Sequence, residues 1–213
     1  MMQRKPAVVV PQDITEKRCP WCAGDTDYIH YHDTEWGVPQ TDDKVLFEFL
    51  VLESFQAGLS WLTILKKRAA FGEAFADFIP AAVANFTPDD VAKLKQNKNI
   101  VRNEQKIRAT INNAACFLQI QHGHGTFAHY LWGFVDYTQV KNTFYTMQDV
   151  PQTNAAARAL SADMKKRGFT FVGPTIMYAY MQAVGLVNDH LMHCPRHHEI
   201  AQQTNGQTYG LKE

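Results

Sequence analysis

Helix punctuation constrains this chain more than any other feature. From Thr41 onward, polar N-cap residues, apolar residues three and four apart, and glycine stops recur in that order. Thr41 reads as an N-cap, Asp42 and Asp43 suit a positive helix end, and Val45, Leu46, Phe49, Leu50 and Glu53 follow at helical spacing before a stop at Gly58. Ser60 is expected to cap a second helix through Trp61, Leu62 and Leu65, ending in the basic run Lys66-Lys67-Arg68. Thr87-Pro88-Asp89-Asp90 gives cap, N1 proline and acidic first turn in order. Asn103 opens a fourth helix through Ile107, Ile111, Ala114, Ala115 and Leu118. His122 to Thr126 reads as a surface turn, Phe127 to Phe134 as a short aromatic helix, and Asp136 to Asp149 as irregular. Asn154 to Arg167, stopped by Gly168, and Pro174 to Val184, stopped by Gly185, complete the pattern. No alternation lasts long enough to propose a sheet, so the expected fold class is all-α.

With 213 residues the chain can bury one good core, and a hydrophobic content of 46% excludes a disordered polypeptide. No apolar run approaches the roughly 20 residues of a membrane helix. Ala7 to Val10 is too short for a signal peptide and is ended by Pro11, which gives the expectation of a soluble cytoplasmic protein. Residues 1–17 read as a disordered N-terminal extension, 18–194 as the folded domain and 195–213 as a tail. Net charge is zero, yet Lys and Arg against Asp and Glu number 5 to 10 up to Glu53 and 16 to 11 beyond it, so a basic face can hide in a neutral total.

Three constellations carry chemistry. The first is the hairpin Lys165-Lys166-Arg167-Gly168-Phe169-Thr170-Phe171-Val172-Gly173-Pro174-Thr175 between two helices. Gly168 lets the first helix end in a left-handed turn, Gly173 permits close approach of another group, and Pro174 starts the next helix. Exposed amides at that positive end make an anion site, which is the plan of a hairpin that grips a DNA phosphate without reading sequence. An ordinary αα-hairpin has the same outline.

The second is a set of thiols and imidazoles. His190 and Cys194 are four apart and share a face if helical. With the distant Cys19 and His32 they compose a Cys₂His₂ set of the kind that closes a structural zinc site. Cys19-Pro-Trp-Cys22 offers a competing CxxC, and His193, His197 and His198 are alternative ligands. Cys116, on an apolar helix face, reads as a buried thiol.

The third is Glu53, a carboxylate on an apolar helix face, in a chain that also holds the aromatic cluster Trp21, Tyr28, Tyr31 and Trp36. Such a carboxylate must be paired, raised in pKa, or waiting for a cationic ligand. Aromatic faces with one carboxylate suit a flat, positively charged ring.

The runs Tyr31-His32-Asp33-Thr34-Glu35-Trp36-Gly37-Val38-Pro39, Gln56-Ala57-Gly58-Leu59-Ser60-Trp61, Lys66-Lys67-Arg68, Gly168-Phe169-Thr170-Phe171-Val172-Gly173 and Met181-Gln182-Ala183-Val184-Gly185-Leu186-Val187-Asn188-Asp189-His190 resemble the 3-methyladenine DNA glycosylase I family over roughly Arg18 to Cys194. The resemblance implies a helix-hairpin-helix glycosylase fold, with a zinc site tying the N- and C-terminal segments, that excises 3-methyladenine from alkylated double-stranded DNA as a monomer. It implies zinc ligands Cys19, His32, His190 and Cys194, and a base pocket drawn from Trp21, Tyr28, Tyr31, Glu53 and Trp61, with Glu53 as the catalytic group. It places DNA contacts at Gly58, Leu59, Gly168, Gly173 and Thr175, with Leu59 as a wedge. Helix-hairpin-helix glycosylases that also cleave the backbone carry a lysine just after the hairpin glycine; here Pro174 and Thr175 follow Gly173, which implies a monofunctional enzyme. Asp189, next to an implied ligand, is read as structural.

Overall fold

The computed structural model describes residues 18–211; the expected N-terminal extension lies outside the described residues. After a 3₁₀ turn at Pro20–Cys22 come α1 (Thr26–Thr34), α2 (Asp43–Gln56), α3 (Trp61–Leu65), α4 (Arg68–Ala74), α5 (Pro80–Val83), α6 (Pro88–Gln96), α7 (Glu104–His124) and α8 (Phe127–Trp132). The chain continues through β1 (Val140–Lys141), α9 (Ala155–Lys166), α10 (Pro174–Ala183), β2 (Val187–Asn188) and α11 (Pro195–Gln203). The all-α reading holds, apart from a two-residue parallel ladder pairing Val140 with Val187 and Lys141 with Asn188. Two pairs are too short to leave a period-2 pattern in the sequence.

α2 is the centre of the fold. Its residues from Phe49 to Phe55 are all buried, as expected for a helix apolar on every side. It packs against α3, α7, α8 and α10, so groups projecting from it have protein all around them. Asp42, not Thr41, is its N-cap and accepts from the amides of Lys44 and Val45. Asp43 accepts from the amides of Phe127 and Ala128, both at 2.8 Å, so it caps α8 from another element.

Several boundaries differ from the sequence reading. α3 stops at Leu65, and Arg68 begins α4 instead of ending α3. α7 runs on through His124, because Gly125 and not Gly123 takes the left-handed conformation (φ 88°). His122 and His124 therefore occupy its last turn, where imidazoles suit the negative helix end. The aromatic helix α8 ends at Trp132 and continues as a 3₁₀ turn over Gly133–Val135. His190 and Cys194 are not on a helix; they lie in the turn before α11, and Cys194 is its N-cap residue. The segment expected as a tail contains α11, anchored by buried Ile200 and His197. Thr87 forms the capping box with Asp90, and Asn103 and Asn154 cap α7 and α9 as their positions dictate.

α9 and α10 pack together and frame the hairpin. Gly168 takes φ 91°, a conformation that ends α9. Phe169 and Val172 are buried anchors, whereas Phe171 is only half-buried and itself adopts φ 55°.

Candidate active site and metal centre

Glu53 projects from α2 into a cavity of about 290 Å³. Trp21, Tyr28, Tyr31 and Trp61 line the same cavity, so all five expected pocket residues meet there. Trp21 and Tyr28 have ring centroids 4.9 Å apart, and Tyr31 and Trp61 5.3 Å. The size is at the small end of ligand sites, about 300 Å³ upward, and suits a single ring system.

Glu53 is 4% exposed, has no ion-pair partner among the described residues, and its Oε2 has no hydrogen-bond partner. Burial alone pushes its carboxyl up to about 8. The indole Nε1 of Trp61 is also buried without an acceptor. Two orphan polar atoms on the walls of one cavity are costly for folding and available to a ligand. Burial also raises the phenols of Tyr31 and Tyr28, and the nearby Glu53 adds to both, so they remain neutral donors.

The far wall comes from α10, which the sequence reading assigned to DNA contact alone. Thr175, Tyr178, Ala179 and Gln182 follow one another at i, i+3, i+4 and i+7 and all line the cavity. That spacing was a readable signal for a second pocket face. Thr175, expected as a DNA contact, lies at the cavity wall, on the exposed first turn of α10. Asp189 also lines the cavity while accepting from Tyr178 Oη at 2.6 Å, Gln182 Nε2 at 2.8 Å and Asn142 Nδ2 at 2.6 Å. It thus positions the polar groups of the wall, in keeping with the structural role read for it. Trp36, which the sequence grouped with the aromatic cluster though not with the implied base pocket, also lines the cavity, and Gln56 is a lining residue that sequence reasoning did not assign.

Gly58 and Leu59 stand beside this site on the turn between α2 and α3. Gly58 takes φ 80°, and a side chain added there would meet nothing within 4 Å. Leu59 is 41% exposed, so its side chain is accessible to an approaching group. At Gly173 (φ −61°) an added Cβ would again meet nothing, so the start of α10 is open to an approaching group.

The four thiols and imidazoles expected as ligands converge. Cys19, His32, His190 and Cys194 are all buried, and their ligand atoms lie within 4.8 Å of one another. His32 Nδ1 donates to Asp33 Oδ1 at 2.8 Å, and Asp33 is held by Arg18 at 2.7 Å. His190 Nε2 donates to the Trp36 carbonyl at 2.9 Å. Both acceptors lack protons, so the inward nitrogens, His32 Nε2 and His190 Nδ1, are the unprotonated ones. A hydrogen bond from Cys19, with help from both imidazoles, holds the Cys194 thiol far down, and the same bond with burial pushes Cys19 up. A metal ion would let both thiols ionise, and this group can hold one. Cys22 stands outside the cluster and donates its thiol to the Cys19 carbonyl at 3.2 Å, which disfavours the CxxC reading. His193, His197 and His198 are outside it as well.

A family model described as methyladenine glycosylase matches residues 21–197. This chain belongs to the methyladenine glycosylase family. Within that family it is 47% identical to DNA-3-methyladenine glycosylase 1 of Escherichia coli (strain K12) over 178 residues, covering 84% of this chain and 95% of that one. A crystal structure of a 3-methyladenine DNA glycosylase I superposes with a TM-score of 0.82 at 46% identity, covering 84% and 98% of the two chains. A structure of the Staphylococcus aureus enzyme, described as the basis of its 3-methyladenine recognition, gives 0.82 at 40% identity over 85% and 96%. The methyladenine glycosylase match spans every cavity and cluster residue described above except Cys19.

Proposed function

We infer that this chain is a base-excision repair glycosylase that hydrolyses the N-glycosidic bond of 3-methyladenine in alkylated DNA. The observation that carries the reading is the buried, unpartnered carboxylate of Glu53 in an aromatic-walled cavity of base size. Methylation at N3 makes the adenine a fixed cation. A cation that enters displaces the proton of a carboxyl poised at about 8 and leaves a carboxylate facing it. Neutral adenine offers no such exchange, which is the basis of selectivity.

The nucleotide must first leave the stack, at a cost of a few kcal/mol that is least for a damaged base. Trp21, Tyr31 and Trp61 then enclose the ring, with cation–π attraction of roughly 0.5–2 kcal/mol. The C1′–N9 bond breaks with its electron pair moving to N9, and the base departs as neutral 3-methyladenine. Water forms the new bond to C1′ and releases one proton to solvent. Glu53 holds the leaving base and favours positive charge near the scissile bond. No lysine lines the cavity among the described residues, so no amine is available for covalent backbone cleavage, which supports a monofunctional enzyme.

The metal we assign to the cluster is zinc, in a structural role. Tetrahedral zinc bonds of about 2.0–2.3 Å imply ligand–ligand edges of roughly 3.3–3.8 Å. The edge from His190 to His32 is 3.2 Å, that from His32 to Cys194 3.6 Å, and those from His190 to Cys19 and to Cys194 are both 3.7 Å, while all four ligand atoms lie within 4.8 Å of one another. Zinc would supply charge to hold two thiolates and a clamp between chain ends, and no step of hydrolysis passes through it. The substrate form we assign is double-stranded DNA, because the open hairpin amides and the exposed Leu59 suit phosphate gripping and stack opening together. The cavity is complete within one chain, which supports a monomer. Among the described residues no helix is long and apolar enough to cross a membrane. We assign the cytoplasm because the inferred substrate is DNA.

The test is incubation with methylated duplex DNA followed by chromatography of the released bases. Free 3-methyladenine without strand cleavage is the expected result, and its absence contradicts the reading.

A further inference from the structure

One face of α7 is polar where a helix facing the core should be apolar. Lys106, Thr110 and Asn113, at i, i+4 and i+7, are all buried. Lys106 is 6% exposed and forms no ion pair with a carboxylate among the described residues. Its Nζ donates to the Phe55 carbonyl at 2.8 Å and to the Ala57 carbonyl at 2.6 Å. Those carbonyls end α2 and lead directly into Gly58 and Leu59. The final carbonyls of a helix lack intrahelical partners and carry its negative end, so an ammonium there is a strong clamp on the turn that follows. Burial lowers the pKa of this lysine, so folding alone gains little from a charge at this place.

The same helix holds the hairpin. Asn113 accepts from the Thr170 amide and donates to the Thr170 carbonyl, both at 2.9 Å, and Asn112 donates to the Gly168 carbonyl at 2.8 Å. Between the two grips lies Phe171, whose ring centre is 6.0 Å from the Lys106 ammonium. Its carbonyl accepts from Ser54 of α2, and its φ of 55° is a conformation that a phenylalanine adopts only when its surroundings impose it.

We propose that Lys106 is a positioning residue that fixes the Gly58–Leu59 turn at a set distance from the phosphate-gripping hairpin, with α7 as the rigid spacer. DNA seated on the hairpin then meets Leu59 at the register needed to open the stack. The proposal rests on the glycosylase reading above and adds to it a residue that touches neither base nor phosphate.

Lys106→Met keeps the bulk and removes the clamp, and Lys106→Gln keeps one donor. Base release is measured on methylated duplex and on methylated single-stranded DNA, with free 3-methyladenine affinity and zinc content alongside. Lys106→Met should lower kcat/KM on duplex by about tenfold or more, since a misplacement near 1 Å can cost that much. Release from single strands and free-base affinity should stay within about twofold, and Lys106→Gln should fall between Met and wild type. In a Leu59→Ala background Lys106→Met should add little, because both act through one turn. Equal losses on both substrates, no loss on duplex, or full additivity with Leu59→Ala overturns the proposal while leaving the glycosylase reading intact, since wild-type release from single strands reports that reading independently. Wild type silent on both substrates removes the two together.

Discussion

The indole of Trp21 packs against the imidazole of His32 with ring centroids 5.2 Å apart, so one aromatic wall of the cavity is also a wall of the Cys/His cluster. Trp36 repeats the arrangement, meeting His190 at 4.6 Å while lining the cavity. The base site and the cluster are therefore mechanically joined. Cys19→Ala should lose the bound metal and lower thermal stability and base affinity together. Cys22→Ala should retain metal content by elemental analysis, because its thiol only donates to a carbonyl. Equal metal loss in both variants contradicts the ligand set.

Gly173 has room for a side chain in the free protein, so Gly173→Val should fold normally. The added bulk sits where a phosphate is expected, and duplex affinity should drop while free 3-methyladenine affinity holds. Wild-type duplex binding should weaken steeply with salt, as phosphate contacts require. A salt-independent affinity contradicts the hairpin's role.

Leu59 is exposed, so its removal should change stability by no more than about 0.5 kcal/mol. Leu59→Ala should nonetheless slow turnover on duplex DNA, read by base release under single-turnover conditions. A large fall in melting temperature instead would mark Leu59 as packing.

Much of this site was legible in the sequence because local rules and tertiary needs agree there. The caps at Thr87, Asn103 and Asn154 and the stop at Gly168 all depend on neighbours a few residues away. Cys19, His32, His190 and Cys194 were legible as chemistry but not as geometry. Their convergence comes from a turn before α11, not from the shared helix face that the spacing suggested. The α10 wall with Tyr178 and Gln182 left a readable helical spacing, but it was passed over because an apolar helix next to the hairpin reads as core. The extension of α7 through Gly123 was hidden for a different reason: which of two glycines turns left-handed is settled by the chain beyond, where Thr126 caps α8.

The raised carboxyl of Glu53 has a thermodynamic signature. Its folded value of about 8 stands above the ordinary 4.5, so the native state keeps a proton that the unfolded chain gives up. Stability from this group is full below about pH 4.5 and is lost as pH rises through about 8, an order-of-magnitude cost of 3 kcal/mol at pH 7. Glu53→Gln, which has no proton to lose, should be at least as stable as wild type at pH 7. The gap in melting temperature should widen towards pH 9 and close towards pH 5. A gap independent of pH contradicts the buried, unpaired assignment.

The proposed recognition of the cationic base by Glu53 is tested by 3-methyladenine excision from alkylated duplex DNA by Glu53→Gln. The variant should be folded and metal-loaded, yet kcat/KM should fall about tenfold to hundredfold, the worth of a charge-assisted hydrogen bond of roughly 1.5–3 kcal/mol. Wild-type kcat/KM should rise with pH until about 8 as the carboxyl ionises, and this rise should vanish in the variant. Excision at the wild-type rate by a folded, metal-loaded Glu53→Gln protein would contradict that role for Glu53.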